Sequence, residues 1–192
     1  VADVTHPFDA RPVAVAIAGP NGAGKSTFYE TFLSQGGLRF INADEISRAL
    51  QIDAYAAAQL AESMRNQCVV EGESFVFETV FSDPVGAKVE FLAGLAQRGY
   101  TVLLCFVGLN SAATSDERVA MRVLQGGHDV PAEKVSERYP RSLANLKRAI
   151  DGLPMVWVYD NSDLAHPFRK VAEFENGKLR KAFPPTPEWL SL

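Results

Sequence analysis

The chain has 192 residues, 47% of them hydrophobic and 22% charged, a balance that suits one globular domain with a sizeable core. Its formal net charge of −4 weighs against non-specific nucleic-acid binding. The longest unbroken apolar stretch, 102–107, is too short to span a bilayer, and the first residues show no charged-then-apolar leader, so a cytoplasmic protein is expected. In chain order, strand-like apolar runs fall at 13–18, 38–42, 75–79, 102–109 and 155–159. They are rich in Val, Ile, Phe and Leu without clean alternation, the pattern of parallel strands buried on both faces. Helical segments are expected between them. One begins near Gly24, and 54–69 carries many alanines with Leu60, Met64 and Cys68 at helical spacing. The others are 84–98, stopped by Gly99, then 116–124, and 131–150, where Pro140 should kink or interrupt the helix. The tail 168–183 reads as a hairpin around Asn176-Gly177. Cys68 and Cys105 fall in a predicted helix and a predicted strand, which fits buried reduced thiols, and Trp157 with the other strand aromatics is assigned to the core.

The segment Gly19-Pro20-Asn21-Gly22-Ala23-Gly24-Lys25-Ser26 matches G-x-x-x-x-G-K-[ST] and lies between a predicted strand and a predicted helix. Glycines let backbone N–H groups turn inward around a phosphate chain, and the helix adds its positive dipole end. Lys25 is placed to reach the β- and γ-phosphates, Ser26 to ligate Mg²⁺, and Thr27 to border the nucleotide. In a parallel α/β sheet, ligands bind beyond the carboxyl ends of the strands. That rule should bring the loop together with Asn42-Ala43-Asp44-Glu45, Glu78-Thr79 and Asp160-Asn161-Ser162. Acidic groups from two strand ends beside a phosphate loop are what phosphoryl transfer needs.

Later segments carry a family resemblance over roughly residues 13–162. They are Phe40-Ile41-Asn42-Ala43-Asp44-Glu45, Ser74-Phe75-Val76-Phe77-Glu78-Thr79, Gly126-Gly127-His128-Asp129-Val130-Pro131, the stretch from Arg138 to Leu146, and Asp160-Asn161-Ser162. Together with the loop they resemble the zeta-toxin-like branch of P-loop kinases. The apolar runs give a mostly parallel five-stranded sheet and the Asn176-Gly177 turn a C-terminal β-hairpin. The resemblance implies an α/β P-loop NTPase fold, a sheet with helices on both faces. It implies a kinase core over 13–162 with hairpin and tail over 163–192. It also implies ATP at the loop and transfer of the γ-phosphoryl to a hydroxyl of a small-molecule acceptor, which in characterised zeta toxins is UDP-N-acetylglucosamine. An antitoxin protein enters as a partner the toxin reading would bring. Asp44 matches the family's catalytic base, Glu78 and Thr79 its substrate-side segment, and Arg118 a lid arginine. Two positions depart from the pattern. Ser82 stands where an Arg follows the third-strand acid, and His128 where a second lid arginine stands; both lie where acceptor or transition-state charge would be contacted.

Each residue also has a plainer reading. Asp44 could cap a helix starting near Glu45. Glu78 could be a solvated carboxylate at a strand end rather than a group beside Mg²⁺ or acceptor. Arg118 and Arg122, four apart and so on one helix face, could pair with Asp116 or Glu117 instead of closing over phosphates. Arg138, Arg141 and Asn145 also share one face, where Arg138 and Arg141 could hold acceptor. Asn161 could border the adenine, and His128 could be a loop residue. Rival functions are a transporter-type ATPase, a nucleoside, antibiotic or polynucleotide kinase on the same fold, and an ATP-binding switch without metabolite kinase activity. No Leu-Ser-Gly-Gly-Gln-like stretch supports the first, and the negative charge disfavours a polynucleotide acceptor.

Overall fold

The structure, a computed structural model, describes residues 11–124 and 130–190. Five strands run parallel: β1 (Val13–Ala18), β2 (Arg39–Ile41), β3 (Phe75–Thr79), β4 (Thr101–Gly108) and β5 (Met155–Asp160). The predicted hairpin forms as β6 (Arg169–Glu175) and β7 (Lys178–Ala182). It pairs antiparallel with β5, so the hairpin extends the sheet to seven strands in the order β2-β3-β1-β4-β5-β6-β7. Asn176 and Gly177 both take positive φ, 48° and 77°, the two-residue turn whose twist matches the strands it joins. β7 is exposed along its length, and Lys178, Arg180 and Lys181 on it discourage pairing with another chain.

Among the described residues the α-helices are α1 (Lys25–Phe32), α2 (Ala43–Leu50), α3 (Ala54–Glu71), α4 (Ala87–Gln97), α5 (Ala112–Leu124) and α6 (Ala132–Gly152). Alternate residues of the central strands feed two cores. Ala14, Ala16, Phe75, Phe77, Leu104 and Phe106 pack with Ala61 and Cys68 of α3, Leu92 and Leu95 of α4, and Leu146 and Ala149 of α6. Val13, Val15, Ile17, Leu103, Cys105 and Val107 face the other way and pack with Phe28 of α1 and Tyr159. Burial on both faces is why these strands lack hydrophobic alternation. Both cysteines are free and buried. Trp157 packs against the second of these cores, as its core assignment expects. It is half-buried there, with the Lys170 ammonium 3.8 Å from its ring centre.

Pro140 does not interrupt its helix, which runs unbroken from Ala132 to Gly152. Pro140 and Ser136 are both exposed, so water can take the carbonyl that loses its partner. Among the described residues no helix is long and apolar enough to cross a membrane.

β1 is central to the topology. Its neighbours are β3 and β4, with Ala18 opposite Thr79 on one side and Phe106 on the other. The loop leaving β1 therefore emerges beside the carboxyl end of β3, and one position back Ile17 is level with Glu78. Sheet register thus delivers the β3 carboxylate to the phosphate loop across more than fifty residues of sequence.

Candidate active site

The loop after β1 is shaped by contacts that leave no room for side chains. Gly19 has φ 147°, and a Cβ there would sit 2.1 Å from the Val107 carbonyl oxygen of β4. The Ser115 hydroxyl of α5 donates to the Asn21 carbonyl. The Asn161 amide donates to the Ala23 carbonyl at 2.8 Å, while its oxygen accepts from Phe168 N at 3.2 Å. Asn161, proposed from sequence as an adenine neighbour, is buried, with its amide nitrogen bracing the loop and its oxygen engaged by Phe168 N. Gly24 caps α1 without offering a side-chain hydrogen bond, so the first N–H groups of the helix are left for a ligand.

Lys25 opens α1 and is only 6% exposed. Its ammonium donates to the Pro20 carbonyl at 3.0 Å and stands 3.8 Å from Glu78 Oε1. Burial pulls its pKa below the ordinary lysine range, and the Glu78 and Asp44 carboxylates oppose that fall. Glu78, 14% exposed, is the junction of the site. Its Oε2 accepts from the Ser26 hydroxyl at 2.8 Å and from Asn42 Nδ2 at 2.9 Å. Ser26 and Glu78 are hard oxygen donors side by side, which fits the ligand preference of Mg²⁺.

Asn42 holds the second acidic segment. Its side-chain oxygen accepts from Asp44 N at 2.8 Å and Glu45 N at 3.4 Å, capping α2. The capping role considered for Asp44 thus belongs to Asn42. The Asp44 carboxylate, 52% exposed, is left open toward the cleft, with Oδ2 3.9 Å from Arg122 Nη1. Arg122 and Arg118 lie on one face of α5 as their spacing predicts. Arg118 also donates to the Ser162 carbonyl at 3.1 Å, and partial burial lowers its pKa from the ordinary arginine range.

Two cavities meet at Glu78. The larger, of about 480 Å³, is lined by the loop residues Gly22, Gly24, Lys25, Ser26 and Thr27, by Arg118 and Arg122, and by Asn161 and Phe168. The smaller, of about 250 Å³, is lined by Asn42, Asp44, Glu78 and Thr79 with Glu62, Arg65 and Lys88. Thr79 also accepts from Phe81 N through its hydroxyl at 3.1 Å.

Arg138 and Arg141 are not brought to either cavity. Arg141 is exposed and pairs with Glu137 at 3.5 Å, one turn away on α6. Their supposed face-mate Asn145 is buried and donates to the carbonyls of Phe81 and Asp83 at 3.0 and 2.8 Å, which fixes the turn after β3. Ser82, in that turn, lines neither cavity. His128, with Gln125 to Asp129, lies outside the described residues. Sequence reasoning overlooked Glu62, Arg65 and Lys88. Arg65 left a trace: Ala57, Ala61, Arg65 and Cys68 are the buried stripe of α3, so one arginine sits where apolar residues are expected.

The profile of the zeta toxin family matches residues 1–170 of the chain. No curated protein matches it. Among solved structures, the AvrRxo1-ORF1:AvrRxo1-ORF2 complex with ATP aligns at TM-score 0.70 and 16% identity. That alignment covers 88% of this chain and 60% of the other, so the present chain spans about three fifths of that relative's length. The chromosomal toxin–antitoxin system PezAT of Streptococcus pneumoniae aligns at TM-score 0.56 and 15% identity, over 78% of this chain and 68% of the other. A protein from Chloroflexus aurantiacus, described provisionally as a kinase, aligns at TM-score 0.55 and 18% identity, over 79% and 86%. At these identities the likeness is one of fold.

Proposed function

The chain belongs to the zeta toxin family, and from that premise we propose that it transfers the γ-phosphoryl of ATP to a hydroxyl of a small-molecule acceptor. The observation that carries this reading is that the two cavities share Glu78, with the phosphate loop on one side and Asp44 on the other. A donor held at Lys25 and a hydroxyl held at Asp44 would be neighbours, which is the positioning in-line transfer requires.

In the proposed mechanism the loop N–H groups and Lys25 bind the phosphate chain. Arg118 and Arg122 offset charge as the phosphoryl moves, a role worth about 10³–10⁵-fold where an arginine finger performs it. Asp44 orients the acceptor hydroxyl and takes its proton, worth about 10²–10⁴-fold. Ser26 and Glu78 are the residues that would hold a magnesium ion, which when bound neutralises charge on the β- and γ-oxygens. Glu78 meanwhile keeps Lys25, Ser26 and Asn42 in register.

The family's reported acceptor supports a nucleotide sugar such as UDP-N-acetylglucosamine as the first compound to try. The likeness to PezAT supports an antitoxin protein as partner, to be sought by co-purification and by rescue of growth. The deciding experiment is transfer from γ-labelled ATP to a panel of nucleotide sugars, nucleosides and aminoglycosides. With the acceptor found, Lys25→Ala should weaken ATP binding and abolish turnover. Asp44→Asn should bind ATP nearly as well as wild type while turnover falls about 10²–10⁴-fold. Full turnover by Asp44→Asn would remove Asp44 as the base. Nucleotide binding without transfer to any compound would favour a switch instead.

A further inference from the structure

The smaller cavity holds more positive charge than the transfer reaction uses. Arg65 comes from the buried stripe of α3, and its residue surface is only 7% exposed. Its guanidinium lies over the rings of Phe77 and Phe91, 5.2 and 6.0 Å from their centres, and it lines the cavity. Those aromatic faces offer some compensation, but they leave the planar fork of N–H donors unanswered. Among the described residues, Arg65 makes no hydrogen bond and no ion pair within 4 Å. Lys88, half-buried near the start of α4, lines the same cavity and likewise has no ion pair within 4 Å. The two cations are close enough to act on each other. Desolvation and then the Arg65 charge lower the Lys88 pKa, with Glu62 and Asp83 opposing. Arg65 is lowered by its own burial, with Glu62 opposing. Glu62 is exposed at the rim and lies one turn before Arg65 on α3.

Asp44 and Glu78 also line the cavity but are engaged by Arg122 and Lys25, so the desolvated Arg65 and Lys88 have only Glu62 and Asp83 to offset them, neither within 4 Å. We propose that Arg65 and Lys88 form an anion subsite in the smaller cavity that grips a phosphate or carboxylate group of the acceptor. This rests on reading the smaller cavity as the acceptor site. An arginine suits such a group because its fork meets two oxygens at once, and Lys88 adds a second point charge. The cavity, of about 250 Å³, has room for the anionic group and the reacting end of an acceptor whose remainder lies outside it. Acceptors that carry such a group should therefore be preferred to neutral nucleosides and cationic aminoglycosides.

The test is a titration of the whole chain, with the phosphate loop filled by a non-hydrolysable ATP analogue, using inorganic phosphate, acetate and glycerol as probes. The reporter is the ¹⁵N-labelled Arg65 side chain, assigned by its loss in Arg65→Lys. Phosphate or acetate should shift that resonance saturably and glycerol should not; which anion saturates first identifies phosphate or carboxylate. Lys88→Gln, at a partly exposed position where folding is not at stake, should weaken the anion about 10- to 100-fold. The absence of a saturable shift with both anions, or an unchanged affinity in Lys88→Gln, overturns the subsite. A saturable shift alongside failure of every acceptor in the transfer assay would leave the subsite standing and defeat the kinase reading. Equal phosphorylation of neutral and anionic acceptors would do the reverse.

Discussion

At the scale of single residues, Glu78 carries the most argument. It is one carboxylate in contact with the ammonium and the hydroxyl of two consecutive residues of α1 and with the side-chain amide of Asn42, the residue that caps α2. Removing its charge leaves Lys25 buried with only the Pro20 carbonyl and the more distant Asp44 to answer it. Glu78→Gln should therefore lower stability by about 3–5 kcal/mol, as for a buried pair that loses one partner, and should also weaken nucleotide binding. Denaturant melts and nucleotide titration check both. Lys25 itself predicts a pH effect. Its folded pKa lies below its unfolded value, so the unfolded chain holds more protons between the two. Stability then rises with pH through the window just below the ordinary lysine range, and at lower pH the full cost of burying the ammonium remains. Lys25→Met should flatten that rise relative to wild type in melts between pH 7 and 10. Parallel slopes for the two proteins would show that the ammonium is not desolvated.

At the scale of elements, the contrast between two glycines is instructive. At Gly177, in the β6–β7 turn, a Cβ would meet nothing closer than the Asp151 carbonyl oxygen at 3.6 Å, so only the left-handed backbone resists substitution. Gly177→Ala should cost about 1–2 kcal/mol and leave nucleotide affinity unchanged. At Gly19 the Val107 carbonyl blocks the position outright. Gly19→Ala must move β4 or the phosphate loop, and nucleotide affinity should fall with stability. Loss of binding by Gly177→Ala would mean that the hairpin is coupled to the site more tightly than its contacts indicate. α3 shows what helix periodicity conceals. Its alanines supply helix propensity, Asp53 caps it by accepting from Tyr55 N and Ala56 N, and Gly72 ends it. None of this local chemistry says that Arg65 faces a cavity rather than solvent. That depends on Phe77 and Phe91, which arrive from β3 and α4.

At the scale of the whole molecule, the tail after β7 reaches back to the site. Trp189 packs on Phe106 and Gly108 of β4, where a Cβ would fall 2.2 Å from the indole. Its Nε1 donates to Asp160 at 3.2 Å. Asp160 also accepts from Ser162 and pairs with Arg169 at 3.2 Å, which sets the segment whose Asn161 braces the phosphate loop. Trp189→Ala should therefore destabilise by about 2–4 kcal/mol and weaken nucleotide binding together. A stability loss with unchanged affinity would confine the tail to a packing role. The cores themselves seal off the thiols. Burial pushes the Cys105 pKa up to about 12, and Cys68, whose sulfur accepts weakly from Arg39, is also raised.

The amino-acid sequence by itself determined the phosphate loop, the five parallel strands and the hairpin turn. Each of these is written in contiguous residues whose backbone preferences and apolar runs are local. It also placed Asp44, Glu78, Arg118 and Arg122 at strand ends or on one helix face, because strand-end geometry and helical spacing are themselves local rules. Only the tertiary structure decided what those groups touch. Asn42 rather than Asp44 caps α2, and Asn161 serves the loop backbone. Arg141 turns to Glu137, Pro140 rides within an unbroken helix, and Arg65 closes a cavity with Lys88. Each outcome depends on a partner distant in sequence or on which side of an element meets solvent, and both are set by how strands register and helices pack.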